Sequence, residues 1–253
     1  MDKGSYIGSI FSNRRFKNGS GTLGGVDGTY RFNDNLRLDW QLFLSKTEEP
    51  NDTTSSSSIN GNFFQKGALT SDFDGEVFSG HGLYFSLEND KRNNSSTLMY
   101  AERSSTFRSD NGYVDFNDRR HLTITNGLNF FPEEGLFENI NFWLGIGRIL
   151  FYDWTLNQDW LYIGHNVKMK GQFSYDISLL LENEFYRGIK FDNNYRLAFE
   201  IEKDFSENLS IEFEPQFGTE IIRDDNPYQA RNISFGAEMI LRLADGIKLN
   251  LKL

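Results

Sequence analysis

Along NLRLDWQLFLSKTEE, residues 35–49, apolar and polar positions alternate: Leu36, Leu38, Trp40, Leu42 and Leu44 take one face, Arg37, Asp39, Gln41 and Ser45 the other. A period of two marks an extended strand, because successive side chains point to opposite faces. The same beat recurs near residues 5–14, 22–32, 36–46, 77–89, 96–104, 121–131, 138–151, 159–171, 175–186, 194–203, 208–220, 232–243 and 247–253, which predicts thirteen strands. Helical periodicity is nearly absent, and GLFEN at 135–139 allows at most one turn. Most runs approach the ~9–11 residues of a tilted membrane strand and exceed the ~5–6 usual in soluble sheets.

The connections suggest which solvent the apolar faces meet. Longer loops (RRFKNGSG, the stretch from KTEEP to SDFDG, STFRSDNGYVDFNDRR, YDWTLNQ, RGIKFDN, IRDDNPYQAR) alternate with tighter turns (NDN, NDKRNN, PEEGLFE, FSY, FSEN, ADG). That alternation is expected of an up-and-down outer-membrane barrel with its turns in the periplasm, whereas a Greek-key sandwich has no reason to keep it. Phe32, Phe130, Phe131, Phe173, Tyr175 and Phe205 flank the tight turns, and Tyr152, Trp154, Trp160, Tyr162, Phe185 and Tyr186 flank the longer loops. Rings at both strand ends are the girdles of two membrane interfaces. The fold class expected is therefore all-β, an antiparallel up-and-down transmembrane β-barrel with about thirteen strands visible, as one domain over 1–253.

Composition narrows the functions. A net charge of −10 with no basic cluster argues against nucleic acid. The absence of Cys removes disulfides, thiolate nucleophiles and thiolate metal sites, and His81, His121 and His165 stand at no metal-ligand spacing, so no cofactor or metal is expected. No apolar run reaches the ~18 residues of a transmembrane helix. The start MDKGSYIGSI has no basic region followed by an apolar one, and counting the last strand upward leaves an odd number of strands. On that count the chain is expected to be a piece of a longer protein, with an incomplete barrel.

GSYIGSIFSNRR followed by GTLGGVDGTYRFNDNLRLDWQLFLSKT resembles the opening of the C-terminal barrel domain of large outer-membrane proteins that begin with a family-9-like carbohydrate-binding β-sandwich. GLYFSLENDKRNNSSTLMYAERSSTFRSDNGYVDFNDRRHLTITNGLNF is similar to a stretch of that domain, with Phe107, Gly112, Tyr113, Val114 and Arg119 at the recurring positions. The resemblance implies an outer-membrane location, outer-membrane lipid as a partner, and an N-terminal domain of the same full-length protein outside these residues. Any carbohydrate binding would lie in that missing sandwich. The family's barrel supplies no reaction to carry over.

Candidate chemistry sits on the polar strand faces. Glu182, Glu184, Glu200, Glu202, Glu212, Glu214 and Glu238 form an expected acidic lumen wall, with Lys168, Lys170, Arg196 and Arg242 as basic partners. Such a wall would favour cations or sugar hydroxyls, a glycan or small solute; the preferred simpler reading is a salt-bridge network bracing a polar interior. Asp115, Asp118, Arg119 and Arg120, with Asp110, are expected in a loop that folds into the lumen as a constriction, its spacing not that of an EF-hand. SGHG at 79–82 puts Ser79 and His81 on one strand face, but no third group or oxyanion site identifies itself, so no catalytic residue is assigned. The function expected is a non-enzymatic channel, or the membrane anchor of a larger, glycan-handling envelope protein. The alternatives are a barrel-embedded hydrolase and a soluble β-sandwich or lipocalin-like binding protein.

Overall fold

The computed structural model describes residues 4–56, 63–109, 112, 114, 116–244 and 246–253, so Asp110, Tyr113 and Asp115 lie outside the described residues. The strands are β1 (Tyr6–Phe16), β2 (Gly19–Arg31), β3 (Leu36–Glu48), β4 (Phe63–Phe64), β5 (Leu69–Thr70), β6 (Val77–Lys91), β7 (Asn94–Arg103) and β8 (Arg119–Phe130). There follow β9 (Phe137–Phe151), β10 (Leu156–Met169), β11 (Phe173–Tyr186), β12 (Ile189–Ser206), β13 (Leu209–Ile222), β14 (Tyr228–Ala244) and β15 (Ile247–Lys252). Thirteen of them form one antiparallel sheet in the order β1-β2-β3-β6-β7-β8-β9-β10-β11-β12-β13-β14-β15, while β4 and β5 make a separate small hairpin. This is the expected up-and-down arrangement, and the sheet is not closed: among the described residues β1 and β15 are not paired.

The loops differ from expectation. RRFKNGSG and RGIKFDN are strand down to two-residue turns at 17–18 and 187–188, and YDWTLNQ contracts to 152–155. The reason is local: Asn18, Arg187 and Gly188 adopt positive φ (62°, 49° and 80°), which lets a polar hairpin reverse with no further residues. Long connections remain at 49–76 and 104–118.

The chain divides into two compact units, one of Met1–Asn89, Leu98–Leu122 and Ile149–Thr155, the other of Asp90–Thr97, Thr123–Arg148 and Leu156–Leu253. In the first, the register aligns Ser9, Val26, Leu42 and Leu83 in one row and Ile7, Gly28, Trp40 and Phe85 in the next. These rows make an apolar face, with Leu44 71% and Leu42 40% exposed. The opposite face carries rows such as Gly8–Asp27–Gln41–Tyr84 and Tyr6–Thr29–Asp39–Ser86. In the second unit Ile201, Phe213 and Ala237 form one row, and Ile211, Met239 and Leu251 another. Among the described residues the only buried large apolar side chains are Phe78, Phe107, Val167, Phe191 and Ile221. The apolar content of the strands is therefore on the surface.

Two glycine patterns shape the polar face. In the first unit, residues 104–108 fold over β3 and β6: the Phe107 amide donates to Ser104, the Arg108 amide to Ser45 Oγ (3.1 Å), and Thr106 Oγ1 to the Ser79 carbonyl (2.7 Å). A Cβ on Gly80 would collide with the Phe107 backbone. Gly80→Val is therefore expected to dislodge this segment at a cost of about 1–3 kcal/mol, read as a lower urea midpoint and faster proteolysis within 104–118; unchanged proteolysis would refute the contact. In the second unit Trp160 lies over Gly145 and Gly147, and Trp143 over Gly164, each ring filling the space a side chain would need. The register puts Trp160 opposite Glu182 and Tyr162 opposite Leu180, itself opposite Arg196, so both rings belong to the polar face and not to an aromatic girdle.

Candidate functional site

The acidic wall lies in the second unit and is assembled by register. One row runs Ser174, Glu202, Glu212, Glu238 and Lys252, and the adjacent one pairs Asp176 with Glu200. Carboxylate oxygens of Glu200, Glu212 and Glu214 lie within 4.8 Å of one another. Like charges directly across strands repel, so this strip must be stabilised by solvent, by protons or by counter-ions. Some members have partners: Gln158 Nε2 donates to Glu182 (3.1 Å), Ser174 Oγ to Glu202 (3.4 Å) and Asn250 Nδ2 to Glu238 (2.8 Å).

The basic partners are not the expected ones. Glu184 is held by Arg223 at 2.7 Å, with one guanidinium nitrogen reaching both oxygens, and Glu238 by Lys252 at 3.8 Å. Among the described residues Lys168, Lys170, Arg196 and Arg242 form no ion pair with the wall. Register explains Arg196 and Arg242, which stand opposite Gly218 and Lys248 rather than carboxylates. The Arg242 guanidinium is instead spent on the Glu207 carbonyl (2.8 Å), and Lys170 lies in the turn after β10. Arg223, just beyond β13, was missed because the periodic stretch ended before it.

The 104–118 segment is only partly the loop expected. Its described first half lies on the polar face, and Asn117 Nδ2 donates to the Phe107 carbonyl (2.6 Å). Asp118 precedes β8, at φ 58°, and its carbonyl accepts from the Tyr152 amide. Arg119 and Arg120 open β8 itself. Arg119 stacks on Phe116, 4.0 Å from the ring centroid.

Arg120 belongs to a cluster the sequence did not disclose. It is 9% exposed, with its guanidinium between the rings of Tyr152 (3.8 Å) and Trp154 (4.0 Å). Its Nε donates to Glu102 (3.3 Å) and its Nη1 to the Tyr152 carbonyl. Glu102 also accepts from the Tyr100 hydroxyl (2.6 Å) and lies 3.4 Å from His81 Nε2, which is 2.8 Å from the Tyr152 hydroxyl. His81 stands opposite Leu44, so this polar knot sits at the margin of the apolar face. Its histidine partner is a tyrosine hydroxyl, and no hydrogen bond joins His81 to Ser79 among the described residues. Tyrosine, tryptophan and arginine side chains each join an apolar body to a polar tip, so the cluster can be apolar on one side and polar on the other. In the second unit, Phe142 stacks on His165 at 4.2 Å, with Phe130 and Tyr175 alongside. The signals that could have found the Arg120 cluster were Glu102, two residues before Ser104, whose amide donates to the His81 carbonyl, and the aromatic pair Tyr152 and Trp154.

No known family description matches the chain, and no curated protein matches it either.

Proposed function

We propose that this chain is a membrane-spanning β-barrel domain of the outer-membrane type, in a Gram-negative envelope, working as a channel or as the anchor of a larger, glycan-handling envelope protein and not as an enzyme. The observation that carries the reading is the segregation of the strand rows: apolar, exposed rows on one face of an up-and-down antiparallel sheet, polar and acidic rows on the other. In water an exposed apolar face of this extent is a liability; in a bilayer it is the required surface. The rings at the strand ends support the same orientation, and the acidic row Glu202–Glu212–Glu238 supports a lumen that gathers cations. The similarity to the barrel of carbohydrate-binding envelope proteins bears on the larger protein, with glycan fragments as the solute class.

The test is solubility and conductance together. The chain refolded in detergent is expected to run faster unboiled than boiled and to aggregate when detergent is removed. In planar bilayers it is expected to conduct with cation preference, reduced when Glu202, Glu212 and Glu238 are all changed to Gln. A heat-modifiable but non-conducting protein points to the anchor. A monomer stable in plain buffer overturns the reading in favour of a soluble binding protein.

A further inference from the structure

The long connection between β3 and β6 has a closed neck in the first unit. The Glu49 amide donates to the Glu76 carbonyl (3.0 Å), Asn51 and Asp74 form an antiparallel bridge, and the Asp52 amide donates to the Phe73 carbonyl (2.7 Å). This ladder brings three carboxylates together, and oxygens of Glu49, Asp74 and Glu76 lie within 4.8 Å of one another. Two of the three are already oriented: the Thr70 amide donates to both oxygens of Glu76 (3.2 and 3.0 Å), and Thr70 Oγ1 to Asp74 (3.3 Å).

Glu49 is different. It is 8% exposed, and its Oε2, fully shielded from solvent, has no hydrogen-bond partner. A buried, unpaired carboxylate oxygen beside two further carboxylates is costly, because charge taken out of water must be compensated locally. Arg108 supplies part of the compensation. Its guanidinium lies 5.3 Å from the ring centroids of both Phe64 and Phe78, and Nη1 is engaged by the Ser105 and Phe107 carbonyls. Three carboxylates against one guanidinium leave two negative charges. We propose that Glu49, Asp74 and Glu76 form a divalent-cation site, Ca²⁺ by its chemistry, that staples the neck of the 49–76 loop.

Donor type favours calcium. All three ligands are hard oxygens, and a Ca²⁺ bound at about 2.3–2.6 Å bridges oxygens up to about 5 Å apart and tolerates irregular geometry. Mg²⁺ demands near-octahedral geometry at about 2.0–2.1 Å and gives up its waters reluctantly, so it suits an irregular set of protein carboxylates less well. A cavity of about 680 Å³ opens beside Glu49, lined also by Asp52 and by the cations Arg14, Lys17 and Arg108. The electrostatics agree. Burial, then the Glu76 carboxylate, push the Glu49 carboxyl up to about 7, Arg108 opposing and Asp74 adding to the rise.

The experiment is a CaCl₂ titration of the whole chain, folded in detergent at pH 8, by calorimetry and by limited proteolysis within 49–76, with MgCl₂ as control and Glu49→Gln and Glu76→Gln as variants. One Ca²⁺ per chain is expected to bind and to slow cleavage at least tenfold, and either variant to weaken binding at least tenfold. Glu49→Gln removes one of the three crowded charges, so it is expected to fold and to resist cleavage without calcium better than the parent chain does. No binding at millimolar Ca²⁺, binding that both variants leave intact, or equal protection by Mg²⁺ would overturn the assignment. Protection by Glu49→Gln with no response to Ca²⁺ would identify a shared proton instead, and would also overturn it.

Discussion

Replacing Arg120 with alanine is expected to destabilise the folded chain by about 3–5 kcal/mol, the cost of removing one partner from a buried ion pair and leaving the other uncompensated. Arg120 is 9% exposed, and the Glu102 it faces has a side chain only 16% exposed. The guanidinium also fills the slot between Tyr152 and Trp154 and holds the Tyr152 carbonyl, so alanine removes a cation–π sandwich and a loop anchor as well. Lysine keeps the charge but not the planar fork, and is expected to recover less than half of the loss. Urea unfolding in detergent gives the value, and a cycle with Glu102→Gln separates the pair from the ring contacts. A loss below about 1 kcal/mol for the alanine variant, the range of exposed pairs, would mean that the clamp holds nothing.

The second large effect concerns the apolar face. Leu42 lies near the middle of β3, in the row with Val26 and Leu83. If lipid covers this row, Leu42→Arg costs about 2–4 kcal/mol, the penalty for a cationic side chain near the bilayer midplane. The neighbouring Gln41 shares the opposite face with Asp27 and Tyr84, and Gln41→Arg is expected to fall within about 0.5 kcal/mol of the parent, as exposed polar positions do. Unfolding of both variants in vesicles decides the matter. Equal, small effects would mean that water bathes both faces and that the membrane reading is wrong.

The strands were legible because period-two alternation survives any environment that differs between the two faces. Leu36 to Leu44 announced β3, and all thirteen long strands appear in the order the pattern implied. Hairpin ends were less legible. Asn18, Arg187 and Gly188 make reversals in the left-handed region, where a polar stretch looks like a loop but is strand up to the last residue. Trp160 looked like a girdle ring because it stands near a strand end, whereas its place is set by Gly145 and Gly147 on the strand beside it. The site residues depended on register most of all. Seven glutamates were assigned to one wall by spacing, but their cationic neighbours, Arg223 and Lys252, come from a loop and from an edge strand. SGHG drew attention to a serine and a histidine, while the chemistry of that stretch comes from Gly80, which admits the Phe107 backbone, and from Glu102 and Tyr152, far away in the chain.

Each long strand bonds only to the long strands before and after it in the chain, and the β4–β5 hairpin interrupts that order without breaking it. A polypeptide wired this way can be laid down as a growing edge, each new hairpin templated on the strand just completed, with loop closure kept short throughout. No segment has to thread between two that are already paired. Gain or loss of a two-strand unit would then widen or narrow the sheet without rewiring any remaining neighbour, so lineages of such chains can change strand number one hairpin at a time while keeping the rest of the sheet in register.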